Sequence, residues 1–300
     1  MRDTQEVLIP VVQPLVEDPE SVIRQHLAAQ LLPMGLVSMI EPMSLGDGKN
    51  GIEEKALPPV SQIVEHPEYM KEYNKRGYTL VTTTLMNALS KLIADEDVDV
   101  RRAAADTLMG LAVQIAPDDI PGCVLPIPLR MCKERPPEGS QSAPQRPGGK
   151  PKKSEAEQRA EDLRMTVANL LAELGGALAE HAHIQQRASK WVGSKLLPAV
   201  LQLAQDSSFR VRRAAAQALP RIVGTCDVST VSDMILPAFD RLSTDELYRV
   251  RKSTGECLVD MSRSLMILAS HQKDIKLRQQ LHELRRNFLI PIIIAHEYRV

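Results

Sequence analysis

Aromatic residues are scarce: one Trp, five Tyr and three Phe make up 3% of 300 residues. That is too few for the cross-strand pairs of an all-β domain or the stacking platforms of a single-strand nucleic-acid binder. A surplus of one charge is missing as well. Lys plus Arg number 37 against 38 Asp plus Glu, a net charge of −1, which argues against a basic surface that coats nucleic acid. The four cysteines (Cys123, Cys132, Cys226, Cys257) form no C-x-x-C pair, so they are expected as buried thiols in a reducing compartment. Long apolar runs are absent too. "FLIPIIIA" near the end is interrupted by Pro291 and far too short to span a bilayer, and "MRDTQEVLIP" is no signal peptide. The expectation is a soluble, cytoplasmic protein with access to the nucleus, and no membrane or nucleic-acid partner.

What is present is a repeated plain string. "VRRAAADTL" at 100–108 returns as "VRRAAAQAL" at 211–219. Each has an Asp five residues before its Val, Asp95 and Asp206, and an Arg just after it, Arg101 and Arg212. "DPESVIRQHLAAQL" supplies Asp18 and Arg24 in the same frame, and "DELYRVRKSTGECL" supplies Asp245 and Arg251. Four residues past the Arg stands a small residue (Ala28, Ala105, Ala216, Gly255), and seven past it a Leu (Leu31, Leu108, Leu219, Leu258). Eight residues before the Asp stands a Pro in three copies: Pro10, Pro198 and Pro237. A further copy has Pro126 and Glu134 in frame, but its second half is displaced to Arg164, Ala168 and Leu171.

Both halves have helical periodicity: Val81, Leu85, Leu89 and Leu92 line one face, Val211, Ala215 and Leu219 another. The Asp between them is placed to cap the second helix, and Pro19 to occupy a first helical position. Arg212 to Arg251 is 39 residues, and removing the 24-residue excess in the third copy returns the same 39 for Arg101 to Arg164. A helical-hairpin period near 40 predicts an all-α HEAT-repeat α-solenoid, a right-handed superhelix of antiparallel helix pairs. The predicted organisation is one array over 1–300, with repeats at about 5–40, 78–116, 122–181, 189–225 and 231–268 and a partial repeat at 275–300. An inter-repeat extension occupies 41–77. A basic Pro/Gly-rich insertion at 135–157 is expected to be disordered, since residues 135–153 include a single apolar residue, Ala143. Residues 287–300, with Pro291 in frame, are expected to form a first helix without its partner.

No constellation carries a reaction. Asp18, Arg24, Asp95, Arg101, Asp206, Arg212, Asp245 and Arg251 are read as a structural ladder, each Asp meeting an Arg of its own or the adjoining repeat. His181 and His183, two apart, face different sides of a helix and chelate poorly. The His–Glu pairs at 282–283 and 296–297 would suit a helical-repeat metal hydroxylase, but both lie at the end of the chain rather than in repeat register. "GDGKNG" lacks phosphate-loop spacing, and no nucleophile elbow or H-E-x-x-H occurs. No cofactor is expected. Two turns carry an aromatic three residues after the Asp, Phe209 and Tyr248, and these are the candidate partner-binding positions.

The stretches "LVEDPESVIRQHLAAQL" and "ILPAFDRLSTDELYRVRKSTGECL" resemble the family of regulatory subunit 1 of protein phosphatase 4, and more distantly the scaffold subunit of protein phosphatase 2A. The resemblance covers about 5–40 and 78–268. It implies a non-enzymatic scaffold that binds a Ser/Thr phosphatase catalytic subunit and directs its substrates, with partners on the turn ridge or concave face. The alternative is another HEAT adaptor, tubulin-binding or transport-type. Trp191, which precedes a first helix instead of sitting in a turn, counts against tubulin binding.

Overall fold

A computed structural model describes residues 9–39, 75–116, 118–133, 154–180, 191–271 and 273–289. Glu134, His181, His183, His296 and Glu297 lie outside these residues, as do most of the 41–77 extension, residues 135–153 of the insertion and residues 290–300. The chain divides into two compact units, Met1–Val124 and Leu125–Val300, with the boundary inside the third copy of the repeat. All regular structure among the described residues is helical.

In the first unit, α1 (Ile9–Val16) and α2 (Ser21–Met39) form one antiparallel pair. The next pair is α3 (Lys75–Leu80), running through a π-turn at Val81–Leu85 into α4 (Met86–Leu92), followed by α5 (Val98–Ala112). The short α6 (Ile120–Cys123) closes the unit. There the Tyr78 hydroxyl donates to Asp119 Oδ2 at 2.6 Å and accepts the Ala116 N–H at 3.1 Å.

In the second unit, α7 (Pro126–Met131) packs on the long α8 (Glu155–Glu180). A π-turn at Val192–Leu196 leads into α9 (Leu197–Leu203), which pairs with α10 (Phe209–Ile222). After the one-turn α11 (Val228–Thr230), a π-turn at Val231–Ile235 leads into α12 (Leu236–Ser243), paired with α13 (Tyr248–Glu256). Helices α14 (Leu258–His271) and α15 (Ile275–Leu284) follow, ending in a π-turn at Arg285–Leu289.

Helix α8 begins earlier than the composition of 135–157 suggests. Ser154 Oγ accepts the Glu157 N–H at 3.2 Å, and the Glu157 carboxylate accepts the Ser154 N–H at 2.9 Å. This reciprocal capping box satisfies two otherwise orphaned donors and starts the helix at Glu155. Residues 75–77, assigned to the extension from sequence, likewise belong to α3.

Second helices stack on one another, α2 on α5 and α8 on α10, with α10 on α13. The frame residues explain the stacking. Val100, Val211 and Val250 are fully buried, as are Leu31, Leu108, Leu171 and Leu219. Ala28, Ala168 and Ala216 are sealed beneath a neighbouring helix, where a longer side chain would hold the axes apart.

The three internal π-turns share one register: each starts at a Val fourteen residues before the ladder Asp, namely Val81, Val192 and Val231. Pro198 and Pro237 explain two of them. A proline has no N–H to donate, and its ring collides with the carbonyl four residues back, so the preceding turn widens. The other copy has Asn87 at the proline position and reaches the same geometry differently. The Thr82 hydroxyl donates to the Tyr78 carbonyl at 3.0 Å and the Thr83 hydroxyl to the Thr79 carbonyl at 2.6 Å, occupying acceptors of the distorted turn.

Two glycines give opposite expectations. A Cβ on Gly77 would land on the Ser38 carbonyl, well inside van der Waals contact, so α3 and α2 meet there backbone to backbone. A Cβ on Gly176, within α8, meets nothing within 4 Å. Gly77→Ala is expected to destabilise by about 1–3 kcal/mol through overpacking, and Gly176→Ala to stabilise by about 0.5–1 kcal/mol through helix propensity. Urea denaturation of the two variants checks both signs.

Candidate functional site: the turns between paired helices

Each turn is built around its Asp, whose Oδ1 accepts the backbone N–H two residues further on. The donors are Glu20, Asp97, Ser208 and Leu247, each at 2.9 Å from Asp18, Asp95, Asp206 and Asp245 respectively. This is an Asx-turn, and it corrects two expectations. The ladder Asp does not cap the second helix. That position belongs to Asp97 in the second copy and Ser208 in the fourth, while Leu247 holds it in the fifth without a side-chain bond. Pro19 is not a first helical residue either, because α2 starts at Ser21 and Pro19 lies in the turn. The physical reason is that the carboxylate is already committed to the turn and, in Asp95, Asp206 and Asp245, to an arginine of the preceding repeat.

Six residues on, the Arg of the same repeat folds back over its own turn. Its Nη1 donates to the carbonyls of the Asp and of the following residue. Arg24 reaches Asp18 O at 2.7 Å and Pro19 O at 3.2 Å; Arg101 reaches Asp95 O and Glu96 O at 2.8 and 2.9 Å. Arg212 reaches Asp206 O and Ser207 O at 2.9 and 3.2 Å; Arg251 reaches Asp245 O and Glu246 O at 2.8 and 2.9 Å.

The remaining edge of the guanidinium grips the next repeat. Arg24 Nε and Nη2 bond Asp95 at 2.7 and 2.8 Å; Arg164 bonds Asp206 at 2.8 and 3.2 Å; Arg212 bonds Asp245 at 2.7 and 3.0 Å. The planar fork with five donors makes both grips possible at once, which a lysine could not do. Arg164, displaced from its turn by the insertion, uses its Nη1 on the Ala160 carbonyl instead. Arg101 Nε is buried and has no acceptor among the described residues.

Sequence reasoning missed a lateral bridge. Glu161, three residues before Arg164 and 2% exposed at its side chain, accepts from Arg210 Nη1 at 3.2 Å, and Asp162 lies 3.1 Å from the same nitrogen. The signal available was Glu161's place on the face of α8 that carries Arg164, an i, i+3 relation.

The two candidate aromatics part company. Phe209 is half-buried, and the Arg249 guanidinium of the next turn lies 5.8 Å above its ring centroid, a cation–π contact within the ridge. Tyr248 is 64% exposed, beside Leu247 at 43%. Val98, in the same frame position of the second copy, is exposed as well.

Elsewhere, an open groove lined by Pro198, Leu201, Gln202, Gln205, Ser207 and Met234 runs between first helices, with Asp206 at its end. Its only carboxylate is the one engaged by Arg164. Burial pushes the thiols up, Cys226 to about 12 and Cys123 and Cys257 to about 11, so they stay protonated at neutral pH. Among the described residues no three His, Cys, Asp or Glu side chains cluster as metal ligands, and no helix is long and apolar enough to cross a membrane.

The Arg212–Asp245 pair yields a measurable cost. The side chains are 11% and 10% exposed, so truncating one strands the other. Arg212→Ala is expected to lower unfolding free energy by about 1–3 kcal/mol, and Arg213→Ala, exposed one position round the helix, by less than about 0.5 kcal/mol. Equal urea midpoints for the two would remove the ladder. Burial pushes the Asp245 carboxyl up, but hydrogen bonds from Arg212 and the Leu247 N–H outweigh it and hold the group below the usual aspartate range. Its contribution is therefore complete above the unfolded value of about 3.9 and is lost as pH falls through the lower folded value. The stability gap between wild type and Asp245→Asn should be constant near neutrality and narrow below about pH 4.

Residues 192–266, the stretch from the second π-turn to the middle of α14, match the family model described as PPP2R1A-like HEAT repeat. No curated protein matches the chain. With its paired helices stacked through a periodic Asp–Arg ladder, the fold is all-α, of the HEAT-repeat solenoid class.

Proposed function

We propose that the chain is a non-catalytic scaffold that binds the catalytic subunit of a Ser/Thr protein phosphatase of the 2A or 4 type and directs its substrates. The observation that carries this reading is the coincidence of the PPP2R1A-like match at 192–266 with the turns that expose Leu247 and Tyr248. The physical argument is one of surface. The ladder turns its polar atoms inward, and what it leaves outside is a row of turn tips, with Tyr248 64% and Leu247 43% exposed. An apolar pair flanked by Glu246, itself 83% exposed at its side chain, suits a partner surface with an apolar pocket and a basic rim. The scaffold's part is to hold and orient; the hydrolytic metals and their ligands belong to the catalytic subunit.

The test is titration calorimetry of the intact chain against a purified catalytic subunit of that type. Binding is expected, with Tyr248→Ala weakening it at least about tenfold, as for an interfacial aromatic anchor. Glu246→Lys should weaken it too, and the melting temperature of Tyr248→Ala should match wild type. Absence of binding, or binding indifferent to both changes, rejects the phosphatase reading at this ridge.

A further inference from the structure

Two positions of the repeat frame flank the ladder Arg on one side of each second helix, two residues before it and one after it. An i, i+3 step makes them neighbours. In the second copy they hold Asp99 and Arg102, which pair with each other at 3.5 Å. In the third copy the first of them is Asp162. In the fourth and fifth copies both positions are basic: Arg210 and Arg213 on α10, Arg249 and Lys252 on α13.

The adjoining helix decides how much of that charge is cancelled. Toward α8, Arg210 meets Glu161 and Asp162 at 3.2 and 3.1 Å. One repeat on, Arg249 takes Arg210's place, and the residues in the frame of Glu161 and Asp162 are Phe209 and Arg210. Arg249 therefore lies over the Phe209 ring, and among the described residues no carboxylate pairs with it.

Arg213 borders the same seam. Phe209, Arg213 and Gln217 form an i, i+4, i+8 row on α10, and both ends of the row touch α13. Phe209 does so through Arg249, and Gln217 through its Nε2, which donates to Ser253 Oγ at 3.2 Å. Lys252 adjoins Ser253, so Arg213, Arg249 and Lys252 share one stretch of the α10–α13 seam, and all three are exposed. Among the described residues Arg213 has no hydrogen bond or ion pair, and Lys252 has Glu256 alone, at 3.9 Å. Asp245 is taken by Arg212. Three cations beside one loosely held acid repel one another, and a chain of net charge −1 has no general surplus of base to account for them.

We propose that the α10–α13 seam around Arg213, Arg249 and Lys252 docks an acidic peptide segment of a partner protein, one with several Asp or Glu residues in succession. Charge complementarity selects this occupant. Arg249 and Lys252 stand a turn apart on one helix and Arg213 on the next, so the charge is spread along the seam, which suits successive carboxylates. Phe209 has its ring occupied by Arg249 and not offered to a base, which disfavours a nucleic-acid strand. The docking uses helix flanks, not the turn tips, and is independent of any phosphatase.

Fluorescence anisotropy of a labelled oligoglutamate titrated with the intact chain tests this, beside a labelled oligothymidylate of the same length. Oligoglutamate is expected to bind, more weakly as salt rises, and oligothymidylate to bind less tightly. Arg213→Glu and Lys252→Glu should each weaken oligoglutamate binding at least about fivefold, with helicity by circular dichroism unchanged. Should one of them fail to fold, the other carries the test. Lys195→Glu makes the same change in net charge at an exposed position of the π-turn before α9, and should leave binding within about twofold of wild type. No binding of oligoglutamate overturns the proposal, as does binding that the seam variants leave unchanged or that Lys195→Glu weakens equally. Tighter binding of oligothymidylate, lost in the seam variants, assigns the seam to nucleic acid and overturns the peptide.

Discussion

A single guanidinium holds two repeats at once, and the rest of the stack is arranged so that it can. In Arg24 and Arg212, Nη1 fastens the turn that precedes the arginine's own helix, while Nε and Nη2 fasten the following repeat through its Asp. The Asp is fixed in turn by the backbone N–H two residues on, so each carboxylate is oriented before the arginine arrives. Such a bracket works only if the helices lie close enough for a side chain to span them. That is why alanines sit four residues past the Arg, and why the valines beside the arginines are sealed from water. Stability is thereby passed from neighbour to neighbour, as expected of a linear repeat array, and no single core dominates.

Much of this was legible in the sequence because the bracket needs particular residues at fixed spacing. The six-residue step from Asp to Arg, the small residue and the leucine each mark a contact that every internal repeat must make. The direction of the ladder was not legible, since spacing alone cannot say whether Arg24 meets Asp18 or Asp95. It meets both, the backbone carbonyl of one and the carboxylate of the other. The capping role assigned to the Asp failed for a related reason: one carboxylate satisfies the turn and the arginine, and the helix start needs a further residue, such as Asp97 or Ser208. The start of α8 was hidden by composition, although Ser154 and Glu157 do carry the capping-box spacing.

The first helices show how one geometry can have two sequence solutions. Pro198 and Pro237 force a wide turn by what they lack, an N–H, and by the bulk of their rings. Thr82 and Thr83 reach the same register through what they add, hydroxyl donors to carbonyls a turn behind. A search for the proline alone therefore sees three copies with complete framing and one that looks defective. The conserved quantity is the turn's position relative to the Asp, fourteen residues, and that becomes visible only when the backbone is seen.

The same economy explains why the fold is easier to read than the function. The bracket constrains the Asp, the Val, the Arg and the small residue, but makes no demand of its own on the position three past the Asp. Ser21, Val98, Phe209 and Tyr248 occupy it in four copies, a hydroxyl, an aliphatic and two aromatics. One of these is drawn back into the ridge beneath Arg249, and another stands 64% exposed. A position that the bracket does not constrain can take different residues without disturbing the ladder, as Phe209 beneath Arg249 and the exposed Tyr248 illustrate. The periodic frame cannot vary in this way, because it is the part of the sequence that every repeat must keep. Where the frame falls silent, at the turn tips, the sequence can change without disturbing the bracket.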